Sequence, residues 1–533
     1  MDEFERTLVS GYSFAGPALQ IGAGIEGDAV RSSCPVAIPL KTLNRHGLIA
    51  GATGTGKTVT LQVVAEQLSL AGVPTLLMDI KGDLSGIGAS GKENAKILER
   101  HERIGIPFSA GAAPVEFLTL SNEPGSRLRA TVTEFGPVLL AKILGLNDTQ
   151  EGVLAVLFRY CDDRELPLID LEDLRRALQW ITGDGKDDFE ELCGRVSTAS
   201  VGAIVRKIIG LEQQGADLFF GEMSFEVEDL LRFDDEGRGI ASIIRLADLQ
   251  DRPKLFSTFM LCLLAEIYST FPEAGDQEKP KLVLFIDEAH LVFSNATKAL
   301  LEQVEAIVKL IRSKGVGLIF VTQNPTDIPD SVLGQLGLKI QHALRAFTAK
   351  DRRAIKLAAE NFPESSFYKV SEVLTQMGIG EALVTCLNEK GIPTPLARTY
   401  LRAPGSRIGP LSEEEVKALV ARSGIQEKYN ARIDRDSAAQ ILGEKMARAR
   451  EAEEQERLLA EQRAYESTRT APRTQSQRGR APSAPRTPRT SKRGTGMVES
   501  MTKNTMVRQM GRSFMREFAR GILGVLGVGR KRR

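Results

Sequence analysis

The sequence predicts an α/β protein built on a doubly wound, mainly parallel sheet, and two observations carry this prediction. Four runs of residues are almost wholly apolar, which is typical of strands covered by helices on both faces: 46–50, 73–80, 282–286 and 317–322. Segments with the apolar spacing of amphipathic helices follow the first and third of these runs, at 57–70 and 296–313. Alternating strands and helices favour parallel pairing through right-handed crossovers.

Composition places this core within a larger chain. The 533 residues are 42% hydrophobic and 26% charged, which is ordinary for globular proteins and predicts roughly two to four folding units. The acidic start of the chain lacks the pattern of a secretory signal, and no run approaches the roughly 18 apolar residues of a membrane-spanning helix, so we expect a cytoplasmic protein. The five cysteines are scattered without C-x-x-C pairs, and we expect buried thiols rather than a metal site or disulfides.

Changes in composition predict five segments along the chain. They are a short N-terminal β segment at 1–41, the core at 42–410, a charged helix at 411–467, a disordered linker rich in Pro, Arg, Ser and Thr at 468–495, and a basic amphipathic segment at 496–533. Within the core, a helical insertion is predicted at about 130–235, followed by a further strand at 239–246.

The net charge of +1 conceals two regions of opposite sign. Residues 471–533 hold 16 Lys and Arg against 2 Asp and Glu, a charge of +14, whereas the rest of the chain holds 54 against 67, a charge of −13. An acidic body does not attract nucleic acid through its overall charge. A nucleic-acid partner would therefore need local basic patches or the tail.

The turn after the first predicted strand carries the clearest chemical signal. Its sequence, GATGTGKT, satisfies the phosphate-binding pattern G-x-x-x-x-G-K-[ST]. In such a loop the backbone N–H groups and the positive end of the helix hold phosphates, the lysine reaches the β and γ oxygens, and the hydroxyl ligates Mg²⁺. We predict ATP and Mg²⁺ as cofactors, with Lys57 catalytic and Thr58 a metal ligand. The predicted binding residues are Gly51, Ala52, Thr53, Gly54, Thr55, Gly56, Lys57, Thr58 and Val59.

Polar residues after two later strands complete the predicted catalytic site. Asp287 and Glu288 follow the third apolar run, at the edge where open α/β sheets bind ligands. We expect Asp287 to hold Mg²⁺ through water and Glu288 to polarise the attacking water; a favourable charge at a helix N-terminus is the alternative. Gln323 follows the fourth run, and we expect its amide beside the γ-phosphate or the attacking water, with a simple turn residue as the alternative.

Other charged residues are further candidates. Arg312 ends the helix before the fourth strand, facing away from its own phosphate loop, and would reach a neighbouring subunit's nucleotide as an arginine finger. The alternative is a basic residue that favours a helix C-terminus. Asp79 and Asp83 follow the second run and would lie near the metal, at a subunit boundary or in an ordinary Asp-Gly turn.

The segments GATGTGKT, MDIKGD, FIDEAH, R-x-x-G and VTQNP resemble those of the HerA/FtsK superfamily of ATP-driven DNA pumps. The chain is most similar to the bacterial YjgR-type HerA-like helicase family, over about residues 10–410. This resemblance implies a RecA-like P-loop core and a homo-hexameric ring that binds ATP between subunits and translocates on or unwinds DNA. It also implies that Arg312 acts in trans.

Several basic residues outside these motifs leave alternatives open. Arg345 and Arg402 follow predicted strands and are candidate sensors of a neighbour's nucleotide or members of surface ion pairs. Lys92 and Lys96, after the second strand, are candidate pore residues.

The sequence pattern of the tail predicts a basic amphipathic helix beyond the linker. Apolar side chains recur every four residues with arginines on the opposite side: Met506, Met510, Phe514, Phe518 and Ile522, against Arg508, Arg512, Arg516 and Arg520. Such a helix docks on its own ring or a protein partner, lies on an anionic membrane surface, or binds nucleic acid. The alternative functions are accordingly an ATPase that drives protein assembly or export, and a nucleotide-dependent membrane- or partner-binding module.

Overall fold

The computed structural model describes residues 1–470 apart from 122, 248–252, 276, 295–297, 347, 432 and 434–435. The described residues form one sheet of twelve strands. The strands are β1 Ala18–Glu26, β2 Ala29–Pro39, β3 Gly47–Ala50, β4 Thr75–Asp79, β5 Val115–Thr119, β6 Ser126–Arg127, β7 Ala241–Arg245, β8 Leu282–Ile286, β9 Val316–Thr322, β10 Leu338–His342, β11 Glu381–Thr385 and β12 Ala397–Leu401.

Helices connect most of these strands. They are α1 Glu3–Gly11, α2 Lys57–Leu70, α3 Ala95–Ile104, α4 Val132–Ile143, α5 Asp148–Asp163, α6 Leu171–Trp180, α7 Lys186–Cys193, α8 Thr198–Glu212, α9 Pro253–Thr270, α10 His290–Ser294, α11 Lys298–Ile311, α12 Asp330–Leu333, α13 Ala349–Glu360, α14 Val370–Gln376, α15 Glu413–Val420, α16 Gln426–Asn430 and α17 Ala438–Thr470. Helices α4 to α8 form the insertion between β6 and β7.

The strand order is β2-β1-β12-β11-β10-β3-β9-β8-β4-β7-β5-β6. All neighbours from β10 to β6 pair in parallel, and the four strands on the other side pair antiparallel. The strand before the phosphate loop, β3, therefore lies between β10 and β9, and β8, which precedes Asp287 and Glu288, lies on the far side of β9. The predicted doubly wound, mainly parallel core is confirmed.

The central strands are apolar throughout because each face of the sheet has its own hydrophobic core. In β8, Leu282, Leu284 and Ile286 pack into the core shared with the insertion and with α9 and α11. Val283 and Phe285 point to the other side, into the core that contains α1 and α2. Alternate side chains thus enter different cores, which explains why the strand shows no polar alternation.

The N-terminal residues, predicted as a short β segment at 1–41, form two antiparallel strands at the edge of the main sheet. They begin with α1, which was not predicted and which buries Phe4 and Leu8. Strand β1 then pairs antiparallel with β12, with Gly22 opposite Leu401. The partner strand lies almost 380 residues away along the chain, so local sequence patterns do not reveal this pairing.

The charged segment predicted as one helix over 411–467 is three helices, α15, α16 and α17. The breaks allow apolar residues from short stretches to reach the body of the protein: Tyr429 and Leu442 are fully buried. The N–H of Ala439 donates to Asp173 on α6 at 2.7 Å. A single straight helix would not bring these residues to their separate contacts.

The remaining sequence expectations concern the cysteines, the membrane and the tail. All five cysteines are free thiols, and four of them are buried, with Cys193 partly exposed. Among the residues with described positions, no helix is both long enough and apolar enough to cross a membrane. The predicted linker from residue 471 onward and the predicted amphipathic helix lie outside the described residues.

Candidate nucleotide site

The phosphate loop joins β3 to α2 in a conformation that requires glycine. Gly54 and Gly56 have φ values of 77° and 107°, in the left-handed region that other residues rarely adopt. Gly51 is required by space as well, because a Cβ there would lie 2.5 Å from the Cβ of His342. Gly56 forms the N-cap of α2, so the loop presents its backbone at the positive end of a 14-residue helix.

Neighbouring strands hold the loop through its backbone. The N–H of Gly51 donates to the carbonyl of Thr322 at 3.3 Å, and that of Ala52 donates to Ala343 at 2.9 Å. On the outer side, the N–H of Gly380 donates to the carbonyl of Thr55 at 3.1 Å. The loop is therefore fixed by β9, β10 and the turn before β11.

Lys57 is folded back onto the loop that precedes it. Its ammonium group donates to the carbonyls of Gly51 at 2.7 Å and Ala52 at 3.2 Å, and the side chain is buried. Burial lowers the pKa of Lys57, the positive charge of Lys81 lowers it further, and Glu288 and Asp287 oppose the shift. The lysine thus shares one electrostatic environment with both predicted acidic residues.

Asp287 and Glu288 lie at the carboxyl end of β8 and are buried. Asp287 Oδ2 and Glu288 Oε2 have no hydrogen-bond partner among the described residues. Burial, with the negative charge of Glu288, raises the pKa of Asp287 to about 7, against the opposing effect of Lys81. A buried carboxyl with an unpaired oxygen and a raised pKa would be stabilised by a bound cation.

The loop after β4 brings Asp79 and Asp83 to the same edge, with different roles. Asp79 accepts hydrogen bonds from the N–H groups of Gly82 at 2.7 Å and Leu84 at 3.1 Å, so it shapes the loop. Burial raises its pKa to about 6. Asp83 hydrogen-bonds to the Thr58 side chain, while its Oδ1 is buried without a partner.

These residues fit a magnesium ion bound together with phosphates. Mg²⁺ in such sites takes one or two protein oxygens and completes its shell with phosphate oxygens and water. The Thr58 hydroxyl and the unpaired oxygens of Asp83 and Asp287 are ligands of this kind. No group of three or more His, Cys, Asp or Glu side chains suited to an all-protein metal cage occurs in the described part of the chain.

Gln323 follows β9 at the same edge. Its Oε1 accepts a hydrogen bond of 3.4 Å from the hydroxyl of Thr53 in the phosphate loop. The next residues are fixed by Asp327, whose carboxylate accepts from the Thr322 hydroxyl at 2.9 Å. The strand end is thus rigid, while the amide of Gln323 is exposed next to the loop.

Arg312 lies at the opposite edge of the sheet, in a 3₁₀ turn that precedes β9. It lines a cleft of about 740 Å³ together with Arg45, which precedes β3, and with Lys41 and Lys309. Burial lowers the pKa of Arg312, and the charge of Arg45 lowers it further. Within the described residues neither guanidinium forms an ion pair. The structure therefore separates Arg312 from the phosphate loop of its own chain.

The other basic candidates lie apart from these two groups. Arg345 donates to the carbonyl of Thr375 at 3.2 Å, and Arg402 is partly buried. Neither forms an ion pair with an acidic side chain in the described portion. Lys92 and Lys96 are exposed before and at the start of α3. Their predicted sensor and pore roles stay predictions.

Sequence reasoning missed three residues that support the site: Lys81, His342 and Arg45. Lys81 Nζ forms an ion pair with Glu288 Oε1. His342 lies beneath the loop with its Nε2 3.0 Å from the Thr60 hydroxyl, and burial lowers its pKa to about 4. Lys81 and His342 could have been predicted from their positions in the sequence, because each lies within two residues of the carboxyl end of a strand next to the site.

Solved structures with related folds include the bacterial conjugative coupling protein TrwBdeltaN70. It is 14% identical to this chain with a TM-score of 0.48, and the similarity covers 76% of this chain and 94% of the solved one. VirB4 of Thermoanaerobacter pseudethanolicus is 15% identical with a TM-score of 0.46, over 73% of this chain and 98% of the solved one.

Curated relatives and a protein family match the sequence itself. The DNA double-strand break repair helicase HerA of Sulfolobus acidocaldarius is 20% identical over 365 residues, which is 67% of this chain and 66% of the relative. HerA of Sulfurisphaera tokodaii is 24% identical over 368 residues, again 66% of the relative, so the match spans just under two thirds of these proteins. The helicase HerA-like C-terminal family matches residues 27–533. With the phosphate loop and the acidic strand end in place, the chain belongs to this HerA-like helicase family.

Proposed function

We propose that this protein is an ATP-hydrolysing motor that assembles as a homo-hexameric ring and couples ATP hydrolysis to movement on DNA. The observation that carries the ATPase proposal is the group of unpaired carboxylate oxygens beside the phosphate loop. Asp287 and Glu288 are buried next to Lys57 and Thr58, yet each keeps one oxygen without a hydrogen-bond partner among the described residues. Burying such groups is costly unless a ligand completes their hydrogen bonding or charge pairing.

Each residue then has a defined task in hydrolysis. Lys57 would exchange its two loop carbonyls for the β and γ oxygens of ATP, and Thr58 and Asp287 would hold Mg²⁺. The metal, when bound, neutralises charge that develops on the phosphates. Glu288 accepts a hydrogen bond from the attacking water through its free oxygen, and Gln323 orients that water from the end of β9.

The ring is supported by the position of the arginines. Arg312 and Arg45 lie at the amino ends of β9 and β3, whereas the phosphate loop lies at the carboxyl end of β3. In a head-to-tail ring the amino edge of one subunit meets the carboxyl edge of the next. Arg312, assisted by Arg45, would then stabilise the transition state at the neighbour's nucleotide.

DNA is proposed as the substrate because the family and the curated relatives are helicases. The acidic body argues that DNA binds at local basic positions and not across the whole surface, with the exposed Lys92 and Lys96 as candidates. Affinity for DNA should then fall steeply with salt.

The test is the steady-state ATPase rate of the full chain with double-stranded DNA, single-stranded DNA or no DNA, at low and moderate salt. Stimulation of several-fold that weakens with salt supports a DNA motor, and the strand preference distinguishes translocase from helicase. A measurable basal rate that neither DNA changes would contradict the DNA proposal. The function would then be an ATPase that acts on a protein or membrane partner.

A further inference from the structure

The loop after β4 is built to hold its position. Both oxygens of Asp79 are used: Oδ1 accepts from the N–H groups of Gly82 at 2.7 Å and Asp83 at 3.2 Å, and Oδ2 accepts from Leu84 at 3.1 Å. Asp79 itself is buried at the end of a central strand. Three backbone bonds to one carboxylate leave this loop little freedom at its base.

This fixed loop places Lys81 on the predicted catalytic glutamate. Lys81 Nζ pairs with Glu288 Oε1, and the glutamate side chain is 7% exposed against 38% for the lysine. One carboxylate oxygen is therefore bound to a cation that approaches from the solvent side. The other oxygen, Oε2, lies 3.2 Å from His290 Nδ1 without hydrogen-bond geometry and stays available.

Glu288 has little else to fix its direction. Its backbone has a φ of 45°, a left-handed conformation that is uncommon for a residue with a side chain. Asp287, directly before it, cannot orient the Glu288 carboxylate through an ion pair, because both groups are acidic. Lys81 pairs with one oxygen of this carboxylate, and His290 lies near the other at 3.2 Å, so Oε1 is the oxygen that a permanently charged side chain holds.

We propose that Lys81 is a positioning residue for the ATPase reaction, an inference that rests on the proposed ATP hydrolysis. By holding Oε1, Lys81 aims Oε2 of Glu288 at the position of the attacking water. It also keeps a buried carboxylate from turning toward Lys57, whose charge interacts with it. Lys81 acts through Glu288 and not through the nucleotide.

The first experiment compares Lys81→Met and Lys81→Arg with the wild-type full chain. Lys81→Met should lower kcat for ATP about 100-fold, as expected when a general base loses its orientation, and leave the KM for ATP within about threefold. Lys81→Arg keeps the cation and should restore most of the rate. Lys369→Met is the matched control, because this lysine also pairs with a glutamate but is 80% exposed on the surface.

The second experiment is a double-mutant cycle with Glu288→Gln. If Lys81 acts only by orienting Glu288, the double variant Lys81→Met with Glu288→Gln should be no slower than Glu288→Gln alone. Multiplied losses would show an independent role and overturn the proposal. Thermal unfolding of each variant identifies loss of rate through misfolding, and Lys81→Gln replaces Lys81→Met if that variant does not fold.

Two further results would also overturn the proposal. One is a kcat for Lys81→Met within twofold of the wild type. The other is weaker binding of ATP with unchanged binding of ADP, which would assign Lys81 to the γ-phosphate. Failure of the proposed function would look different, because the wild-type chain itself would then show no hydrolysis for any variant to lower.

Discussion

The two edges of the parallel sheet differ in whether their basic side chains have acceptors within the same chain. At the carboxyl edge each lysine of the site has an acceptor within its own chain, since Lys57 binds the loop carbonyls and Lys81 pairs with Glu288. At the amino edge Arg45 and Arg312 lie in one cleft, and neither forms an ion pair among the described residues; burial and the charge of Arg45 lower the pKa of Arg312. The site lysines of one edge are thus paired within the chain, and the two arginines of the other edge are not.

This difference indicates which ligand each edge would bind. Two neighbouring guanidinium groups repel each other, and the glutamates that line the same cleft, Glu273 and Glu389, form no ion pair with either of them in the described part of the chain. An incoming anion would relieve the repulsion. The carboxyl edge offers a place for a triphosphate, whose γ-phosphate would lie near the surface of the chain. In the proposed ring, the two edges would be complementary halves of one site, which a second copy of the chain would bring together.

The largest expected effect comes from the carboxyl edge. Lys57→Ala removes the cation that would contact the β and γ oxygens and should lower the ATPase rate by about 10³-fold or more. Glu288→Gln should bind ATP with near wild-type affinity but fail to cleave it. Equilibrium binding and steady-state ATPase assays measure both effects, with Lys369→Ala as the surface control. Normal turnover in Lys57→Ala would contradict the nucleotide site as a whole.

The amino edge gives the next largest effect. Arg312→Ala should lower the ATPase rate by about 10³-fold, as loss of an arginine finger does, without weakening ATP binding in the same chain. Arg45→Ala should produce a smaller loss in the same direction, because its charge lies beside that of Arg312.

Mixing experiments sharpen this prediction. A mixture of Arg312→Ala and Lys57→Ala subunits contains interfaces that join an intact loop to an intact arginine, so some activity should return. A mixture of Lys57→Ala and Glu288→Gln is the matched control, because both changes damage the same edge and no interface is intact. If the two mixtures had equal ATPase activity, the two edges would not complement each other across a subunit interface.

The sequence revealed the carboxyl edge far better than the amino edge, for a physical reason. Phosphate loops impose local requirements, such as the positive φ of Gly54 and Gly56, and these leave a contiguous motif. Asp287 and Gln323 could be predicted from the sequence because the carboxyl ends of strands in a parallel sheet meet at one edge. Arg45 lies in no motif, and its proximity to Arg312 depends on β3 pairing with β9. Contacts between distant segments leave no local pattern.

A smaller effect is expected for Gln323. Its one contact to the phosphate loop, 3.4 Å from the Thr53 hydroxyl, is long for a hydrogen bond between such groups, so it adds little to the folded structure. Gln323→Ala should lower kcat about tenfold with little change in KM if the amide orients water. A rise in KM alone would assign Gln323 to binding and move it out of the catalytic group.

The smallest expected effect tests how the amino edge is held, through His46. Its Nδ1 accepts from the N–H of Leu318 at 3.1 Å, and its Nε2 donates to the carbonyl of Val308 at 2.7 Å, one turn before Arg312. Only the neutral ring makes both bonds. Burial lowers the pKa of His46 to about 4, and the charge of Arg312 adds to the shift.

Because the pKa of His46 is lowered on folding, its contribution to stability is present above pH 6.5 and is lost as the pH falls through 4. The full shift corresponds to about 3 kcal/mol. His342, at the carboxyl edge, has the same lowered pKa of about 4. His46→Gln and His342→Gln should therefore each remove a comparable part of the histidine-dependent loss of stability between pH 6.5 and 4, and His101, whose pKa burial also lowers, should account for the remainder. Urea midpoints measured across this range check the prediction, since an unchanged slope in His46→Gln would mean that this histidine does not tie α11 to β9 as a neutral ring.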